Sequence, residues 1–233
     1  MNEFIDPQLS LDNIDRFVVR SRIFSALKTS LHEFKGELLD VGCGKMPYRK
    51  YIFDNSKIKK YVGLDIETAI DYKGDKPDFF WDGKKMPFQN DSFDTILLTE
   101  VLEHCPDPDI VLKECFRVLK NDGAMFFTVP FLWPLHEAPH DEYRYTPWAL
   151  QRHFQNAGFV NIGINPLGGW HFSLAQILGL WGARAPMSDF KRKIFRRAIL
   201  FIMKKLIKMG INEKIEFKES QMITGLYGIA KKG

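Results

Sequence analysis

Short apolar runs alternate with amphipathic stretches along most of this chain. Residues 37–41, 60–65, 79–81, 93–98 and 124–129 are compact apolar runs bounded by turn residues, and each predicts a short buried strand. Between the last two lies 110–119, where Val111, Leu112, Cys115, Val118 and Leu119 keep a three-four spacing that predicts a helix. Tyr48, Tyr51 and Ile52 mark a further helical stretch after the first strand, and Ile14, Phe17, Val18, Phe24, Leu27 and Leu31 an amphipathic helix within 11–34. Asn121-Asp122-Gly123 predicts a turn. Thr146-Pro147 predicts the start of a helix over 148–157 that Gly158 stops, and 160–164 and 222–230 read as the last strands. Alternating strands and helices predict an α/β fold: a Rossmann-like, seven-stranded, mostly parallel sheet with helices on both faces and a helical insertion before the last strand. The expected organisation is an N-terminal helical segment (1–35), a core (36–166), an insertion (167–220) and a final core strand (221–233).

With 233 residues, 45% of them hydrophobic and 27% charged, the chain is long enough for one sizeable core and too apolar to be disordered. The formal charge of +4 hides an uneven distribution. Residues 188–210 hold eight basic side chains and the single acid Asp189, so the rest of the chain is slightly acidic. A nucleic-acid binder whose positive surface covers the fold is disfavoured by that layout. Three cysteines (Cys43, Cys105, Cys115) show no paired or zinc-type spacing, which favours a reducing compartment. The acidic opening MNEFIDPQLSLDN lacks the apolar stretch of a signal peptide, and no run of 18 apolar residues occurs. A cytoplasmic protein is expected, with the inner membrane face as a further location.

The first strand runs into Asp40-Val41-Gly42-Cys43-Gly44, and Asp65 ends the next strand 21 positions after Gly44. Glycines at such a turn let a ligand approach the backbone, and a carboxylate at the neighbouring strand end can accept from both hydroxyls of a ribose. Position 47, where a dinucleotide fingerprint has its third glycine, holds Pro47, so an NAD-type enzyme is disfavoured.

In order along the chain, LLDVGCG, YVGLDI, WDGKKMPFQNDSFDTILLTEVLEH and ECFRVLKNDGAMFFTVP resemble the class I S-adenosylmethionine-dependent methyltransferases of the small-molecule, type 11-like branch. The resemblance runs from about Leu38 to Phe159. It implies S-adenosyl-L-methionine as cofactor, with Gly42 and Gly44 under its amino-acid part and Asp40 holding that loop or the cofactor's ammonium. Asp65 is then the ribose-binding acid, Asp82 and Gly83 face the adenine amino group with Met86 bordering it, and Glu100 lines the methyl-donor cavity. Asp94 reads as a structural turn carboxylate, Glu103 and His104 as positional residues, and Cys43 as a packing residue.

His136-Glu137-Ala138-Pro139-His140 matches the HExxH zinc pattern, but that pattern requires a helix, and Pro134 and Pro139 argue against one. No metal is assigned, a loop-built site being the lesser alternative. Residues 136–145 (HEAPHDEYRY) instead resemble an acceptor-side segment of bacterial methyltransferases associated with cell-envelope saccharide and lipid-linked pathways, with Glu142 interrupting the match. A hydroxyl acceptor benefits from a general base, for which His140 is placed ahead of His136, with Asp141 orienting. Arg144 and Tyr145 are expected to brace the loop. O-methyl transfer to a small hydroxylated, saccharide or lipid-linked acceptor is the expected activity, and a non-catalytic binding protein on the same fold is the alternative.

If residues 189–209 are helical, Phe195, Ile199, Ile202 and Leu206 form one face and Lys193, Arg197, Lys204 and Lys208 the opposite one. This is the pattern of a helix lying on anionic lipid, and also of a surface helix packed on its own core, with RNA or DNA contact as a third alternative. The aromatic and aliphatic stretch 170–181 upstream favours lipid.

Overall fold

The structure is a computed structural model and describes residues 3–67 and 76–233. Residues 1–2 of the expected N-terminal segment and 68–75 of the expected core lie outside the described residues. Seven strands form one sheet: β1 (Lys35–Val41), β2 (Lys57–Ile66), β3 (Phe79–Trp81), β4 (Phe93–Thr99), β5 (Leu119–Pro130), β6 (Val160–Pro166) and β7 (Gly225–Lys231). Their order is β3-β2-β1-β4-β5-β7-β6, with β1 to β5 parallel and β7 antiparallel to both of its neighbours. The mostly parallel sheet expected from the pattern is therefore present. The predicted turn at 121–123 instead lies within β5, where the register to β4 shifts.

Why the strands read as unbroken apolar runs follows from the layers, since successive side chains point to opposite faces. Leu39, Val41, Ile96, Leu98, Met125 and Phe127 pack with α3 (Pro108–Val118) and α4 (Pro147–Asn156). Their neighbours Leu38, Leu97 and Phe126 point the other way, onto α1 (Phe17–Ser30) and α2 (Arg49–Asn55). Helix starts match their chemistry. Asp107 and Thr146 accept from Ile110 N and Ala149 N respectively, with proline next in each case. Asp94 is structural as expected: its Oδ2 accepts from Glu37 N and pairs with Lys120 Nζ, both at 2.9 Å.

Between β6 and β7 the chain forms α5 (Trp170–Arg184) and α6 (Asp189–Gly210). Together with Ile14 and Val18 these build a third apolar cluster through Phe172, Ala175, Ile199 and Met203. The inward stripe of α6 agrees with the expected one at Ile199 and Leu206 and differs from it elsewhere. It comprises Arg192, Arg196, Ile199, Leu200, Met203, Leu206, Ile207 and Gly210, while Phe195 and Ile202 are 39% and 42% exposed. The reason is that two arginines serve as anchors. Arg192 donates to the carbonyls of Ala183 (2.5 Å) and Ala185 (3.0 Å), and Arg196 to that of Leu11. No helix among the described residues is long and apolar enough to cross a membrane.

The N-terminal segment lies tightly on α5. Gln176 donates to Asp15 O at 2.8 Å, and Arg184 reaches the Asp15 carboxylate at 2.9 Å. A Cβ on Gly179 would fall 2.0 Å from Ile14 O, so the two backbones touch. Gly179→Ala is expected to destabilise the protein by about 1–3 kcal/mol through overpacking against backbone. Gly163→Ala, whose nearest neighbour would stand at 3.8 Å, should cost clearly less. Urea unfolding of both variants checks this.

Candidate functional site

The carboxyl ends of β1, β2 and β4 converge on one edge of the sheet, where ligands of open α/β folds bind. Gly42 and Gly44 both adopt positive φ (67° and 51°), which makes a tight turn after β1. Gly42 N donates to Leu64 O at 2.8 Å and Gly44 N to Asp65 Oδ2 at 2.8 Å, so the β1 turn is hung on the end of β2. A Cβ on Gly42 would lie 2.4 Å from Val101 Cγ2, so this turn is also pressed against the segment that follows β4. Met46 takes φ 49° in the same loop and is buried.

Asp65 is buried and its carboxylate also accepts from Ile66 N at 2.8 Å. A carboxylate has about four acceptor positions, so two remain for hydroxyls of a ligand. Beside it, Ile66, Glu67, Phe80, Trp81 and Asp82 line an open cleft of about 470 Å³. Asp82 is exposed, accepts from Lys84 N and Lys85 N, and is held below its ordinary value by those two donors. Gly83 has open space around it, and Met86 is buried in the core beneath.

Asp40 is buried behind the turn, with Tyr61 donating to its Oδ2 at 2.5 Å. Burial pushes it up to about 7; the Tyr61 hydrogen bond opposes this shift and the Asp65 charge adds to it. Glu100, at φ 54°, accepts from Thr128 Oγ1 at 2.8 Å and is likewise raised to about 7 by burial, against the Thr128 bond and the Arg144 charge. Cys43 and Cys115 are buried thiols pushed well up by burial, and Cys105 is pushed up to about 12, so no cysteine here is poised as a nucleophile.

The loop after β5 folds over the same edge without helix, so the HExxH pattern does not form the zinc-protease arrangement. Arg144 grips Asp141 through both oxygens (2.7 and 2.9 Å) and also donates to the carbonyls of Tyr143, Trp133 and Pro134. The guanidinium holds Asp141 well below the carboxylate range. Tyr145 is buried and donates to Leu102 O at 3.0 Å. Both residues brace the loop, as expected. His140 has an exposed side chain and contributes its carbonyl, which lies 2.8 Å from His104 Nδ1. His136 is half-buried, with Nδ1 3.4 Å from Asp141 Oδ2, and burial lowers its pKa.

The structure thus brings His136, Asp141 and Glu100 to one edge with Asp40, Gly42, Gly44 and Asp65. It adds Glu103 and His104, which the sequence reading treated as positional. Glu103 and His104 meet His136 across more than thirty positions that carry no spacing signal. The two segments are joined by Glu142 N and Tyr143 N donating to Glu103 O, by His104 Nδ1 on the His140 carbonyl and by Tyr145 on the Leu102 carbonyl.

A nucleotide-type ligand site at the carboxyl edge of an open α/β sheet is what this fold and site define. Residues 39–127 match the family described as a methyltransferase domain. The ubiquinone biosynthesis O-methyltransferase of Pelagibacter ubique is 33% identical over 103 residues, 39% of this chain and 40% of that protein. The chain spans about two-fifths of the length of the curated relatives it matches. Among solved structures, an S-adenosylmethionine-dependent methyltransferase from Archaeoglobus fulgidus is 18% identical with a TM-score of 0.56, over 95% of this chain and 97% of that one. The (4+2)-cyclase SpnF is also 18% identical, with a TM-score of 0.59 over 92% and 82%. Residues 39–127 are thus similar to a methyltransferase domain, and the chain carries the fold of the class I S-adenosylmethionine-dependent methyltransferases. The residues present suit that cofactor: a turn kept bare by Gly42, a buried ribose-type acid with acceptor capacity left, and a cleft walled by Phe80 and Trp81.

Asp40 yields a pH prediction. Its native pKa of about 7 lies above the ordinary 3.8, so between those values the native state keeps a proton that the unfolded chain has lost. Its contribution to stability is therefore greatest below about pH 4 and falls as pH rises toward 7. Asp40→Asn removes this slope. Urea unfolding at several pH values should show the variant gaining on the wild type from pH 4 to 7, with a parallel pH dependence counting against the assignment.

Proposed function

We propose that this protein transfers a methyl group from S-adenosylmethionine to a hydroxyl oxygen of a small hydroxylated, saccharide or lipid-linked acceptor of the cell envelope. The observation that carries the reading is the contact of the glycine turn with Val101, which sets the cofactor edge directly against a polar cluster able to receive an acceptor. When bound, the cofactor supplies an electrophilic methyl on a positively charged sulfur. The chain's own residues orient and desolvate. Gly42, Gly44 and Asp65 hold the donor. Asp40 and Glu100 offer buried carboxyls near it, and the 131–146 loop, fixed by Arg144 and Tyr145, closes the acceptor side. As the new oxygen–carbon bond forms and the carbon–sulfur bond breaks, the hydroxyl proton passes to an imidazole of the loop, His140 at its mouth or His136 within.

The second reading, a non-catalytic binding protein, draws on the general point that one fold hosts several functions, as the SpnF neighbour, described as a cyclase, does outside methyl transfer. Calorimetric titration separates the readings in steps. Wild type is expected to bind S-adenosylmethionine, and Asp65→Ala to lose at least tenfold in affinity. No binding by wild type defeats the proposal, and binding with no turnover on hydroxylated envelope precursors favours the second reading.

An anionic membrane surface is the partner we assign to the α5–α6 pair. Leu174, Ile177 and Trp181 of α5 are exposed on one face, Trp181 meets Phe195 of α6 edge-on at 5.1 Å, and Phe190, Ile194 and Phe201 extend the apolar surface. Lys191, Lys193, Arg197, Lys204, Lys205 and Lys208 are interspersed with these along α6 and are all exposed. Exposed aromatics mixed with basic side chains suit an acidic lipid headgroup layer. Vesicles containing phosphatidylserine should pellet the wild type and leave a Gln variant of these six residues in the supernatant; equal pelleting removes the assignment.

A further inference from the structure

Glu103 is the anomaly of the site. Its side chain is 0% exposed, and neither carboxylate oxygen has a hydrogen-bond partner among the described residues. A buried, unpaired carboxylate is costly, and native folds seldom retain one without a counter-charge. Its surroundings are two imidazoles. His104 Nε2 stands 3.8 Å from Glu103 Oε1, the His104 and His136 rings meet edge-to-face at 4.7 Å, and ligand atoms of Glu103, His104 and His136 all lie within 4.8 Å of one another.

The proton on His104 can be placed from its other partner. Nδ1 lies 2.8 Å from the His140 carbonyl, which can only accept, so Nδ1 carries a hydrogen and Nε2 is the nitrogen turned toward the carboxylates of Glu103 (3.8 Å) and Glu137 (3.7 Å). A carbonyl orienting one ring nitrogen while the other faces a carboxylate is the outer-shell arrangement of metal-binding histidines. Buried His136 Nδ1 likewise has no hydrogen-bond partner among the described residues. The backbone is prepared as well, since the Glu103 carbonyl accepts from Glu142 N and Tyr143 N and Asp141 Oδ2 accepts from His136 N at 3.2 Å.

We propose that Glu103, His104 and His136 form a binding site for one divalent first-row transition-metal ion, with open positions facing the acceptor side of the cleft. Two imidazoles and a carboxylate suit zinc, cobalt or manganese better than magnesium. Bonds of about 2.1 Å put tetrahedral ligand atoms about 3.4 Å apart, a closure that side-chain rotation supplies from 4.8 Å. The site stands on these side chains alone. Its use rests on the methyltransferase reading: an open coordination position next to the donor edge selects an acceptor that offers an oxygen, such as a diol or catechol-type hydroxyl. With His136 engaged as a ligand, His140 is left as the imidazole of the loop that can take the proton.

The test is calorimetric titration of the chelator-stripped full chain with Zn2+, Co2+, Mn2+ and Mg2+ separately, with the visible absorption of Co2+ as a second readout. One ion per chain is expected, with Zn2+ and Co2+ bound more tightly than Mg2+. Glu103→Gln and His136→Asn should each weaken binding at least tenfold, whereas His153→Ala, at the separate His153–Asp109 pair, should not. Thermal melts guard against misfolding: Zn2+ should raise the wild-type Tm and leave that of folded Glu103→Gln unmoved. Absence of a stoichiometric ion in the wild type, or equal affinity in the variants, overturns the site. Metal binding without S-adenosylmethionine binding would keep the site and defeat the methyltransferase reading; cofactor binding without a metal ion would do the reverse.

Discussion

A missing methyl group organises this edge of the molecule. Val101 Cγ2 occupies the space a Gly42 side chain would need, 2.4 Å from where its Cβ would sit. That contact forces the β1 turn and the residues after β4 together. Glu100 and the 3-10 turn at Leu102–His104 flank this contact in sequence, on either side of Val101. Any side chain at 42 would push the two apart and separate the donor edge from the polar cluster. The positive φ at Gly42, Gly44 and Glu100 belongs to the same requirement, because each strand must turn sharply on leaving the sheet.

Close approach at this edge also desolvates its carboxyls. Asp40, Glu100 and Glu103 are all raised by burial, and among the described residues no basic side chain forms a salt bridge with any of them except His104 beside Glu103. Arg144, whose charge reaches Glu100 and Glu103, is spent on Asp141. An edge with this balance is under-compensated in positive charge. The proposed sulfonium donor and the proposed metal ion would each offset that balance. Binding and stability are thereby opposed, since the groups that attract a cationic ligand are those that burden the fold without it.

Most of the sheet was legible because both of its faces are covered. Apolar runs such as 93–98 then have no solvent-facing member to interrupt them, and strand limits came within a few residues. The cofactor turn was legible because it is local: Asp40 to Gly44 and Asp65 are read off two strand ends. The acceptor side was legible only in part. Arg144 and Tyr145 sit beside their partners in sequence or pack under the next helix, so their bracing role could be read. The grouping of Glu103 and His104 with His136 could not, because it depends on how a structureless loop lies across a 3-10 turn some thirty residues earlier. The HExxH spacing even pointed to the wrong set: His136 does face a carboxylate and a second imidazole, but these are Glu103 and His104.

The stripe on α6 was misplaced for a related reason. Periodicity assigns apolar residues inward and basic ones outward, and Phe195 and Ile202 obeyed that rule on paper. In the fold, Arg192 and Arg196 turn inward because the C-terminal end of α5 and the N-terminal segment present bare carbonyls at 183, 185 and 11. A guanidinium can serve several such acceptors while its stem packs against apolar neighbours. Once those two positions face in, geometry rotates Phe195 and Ile202 toward solvent, where Trp181 already stands. The exposed apolar surface is thus a consequence of how α6 is anchored. Six remaining basic residues of the segment are left free of that task and lie exposed on the same helix as the outward-turned apolar side chains.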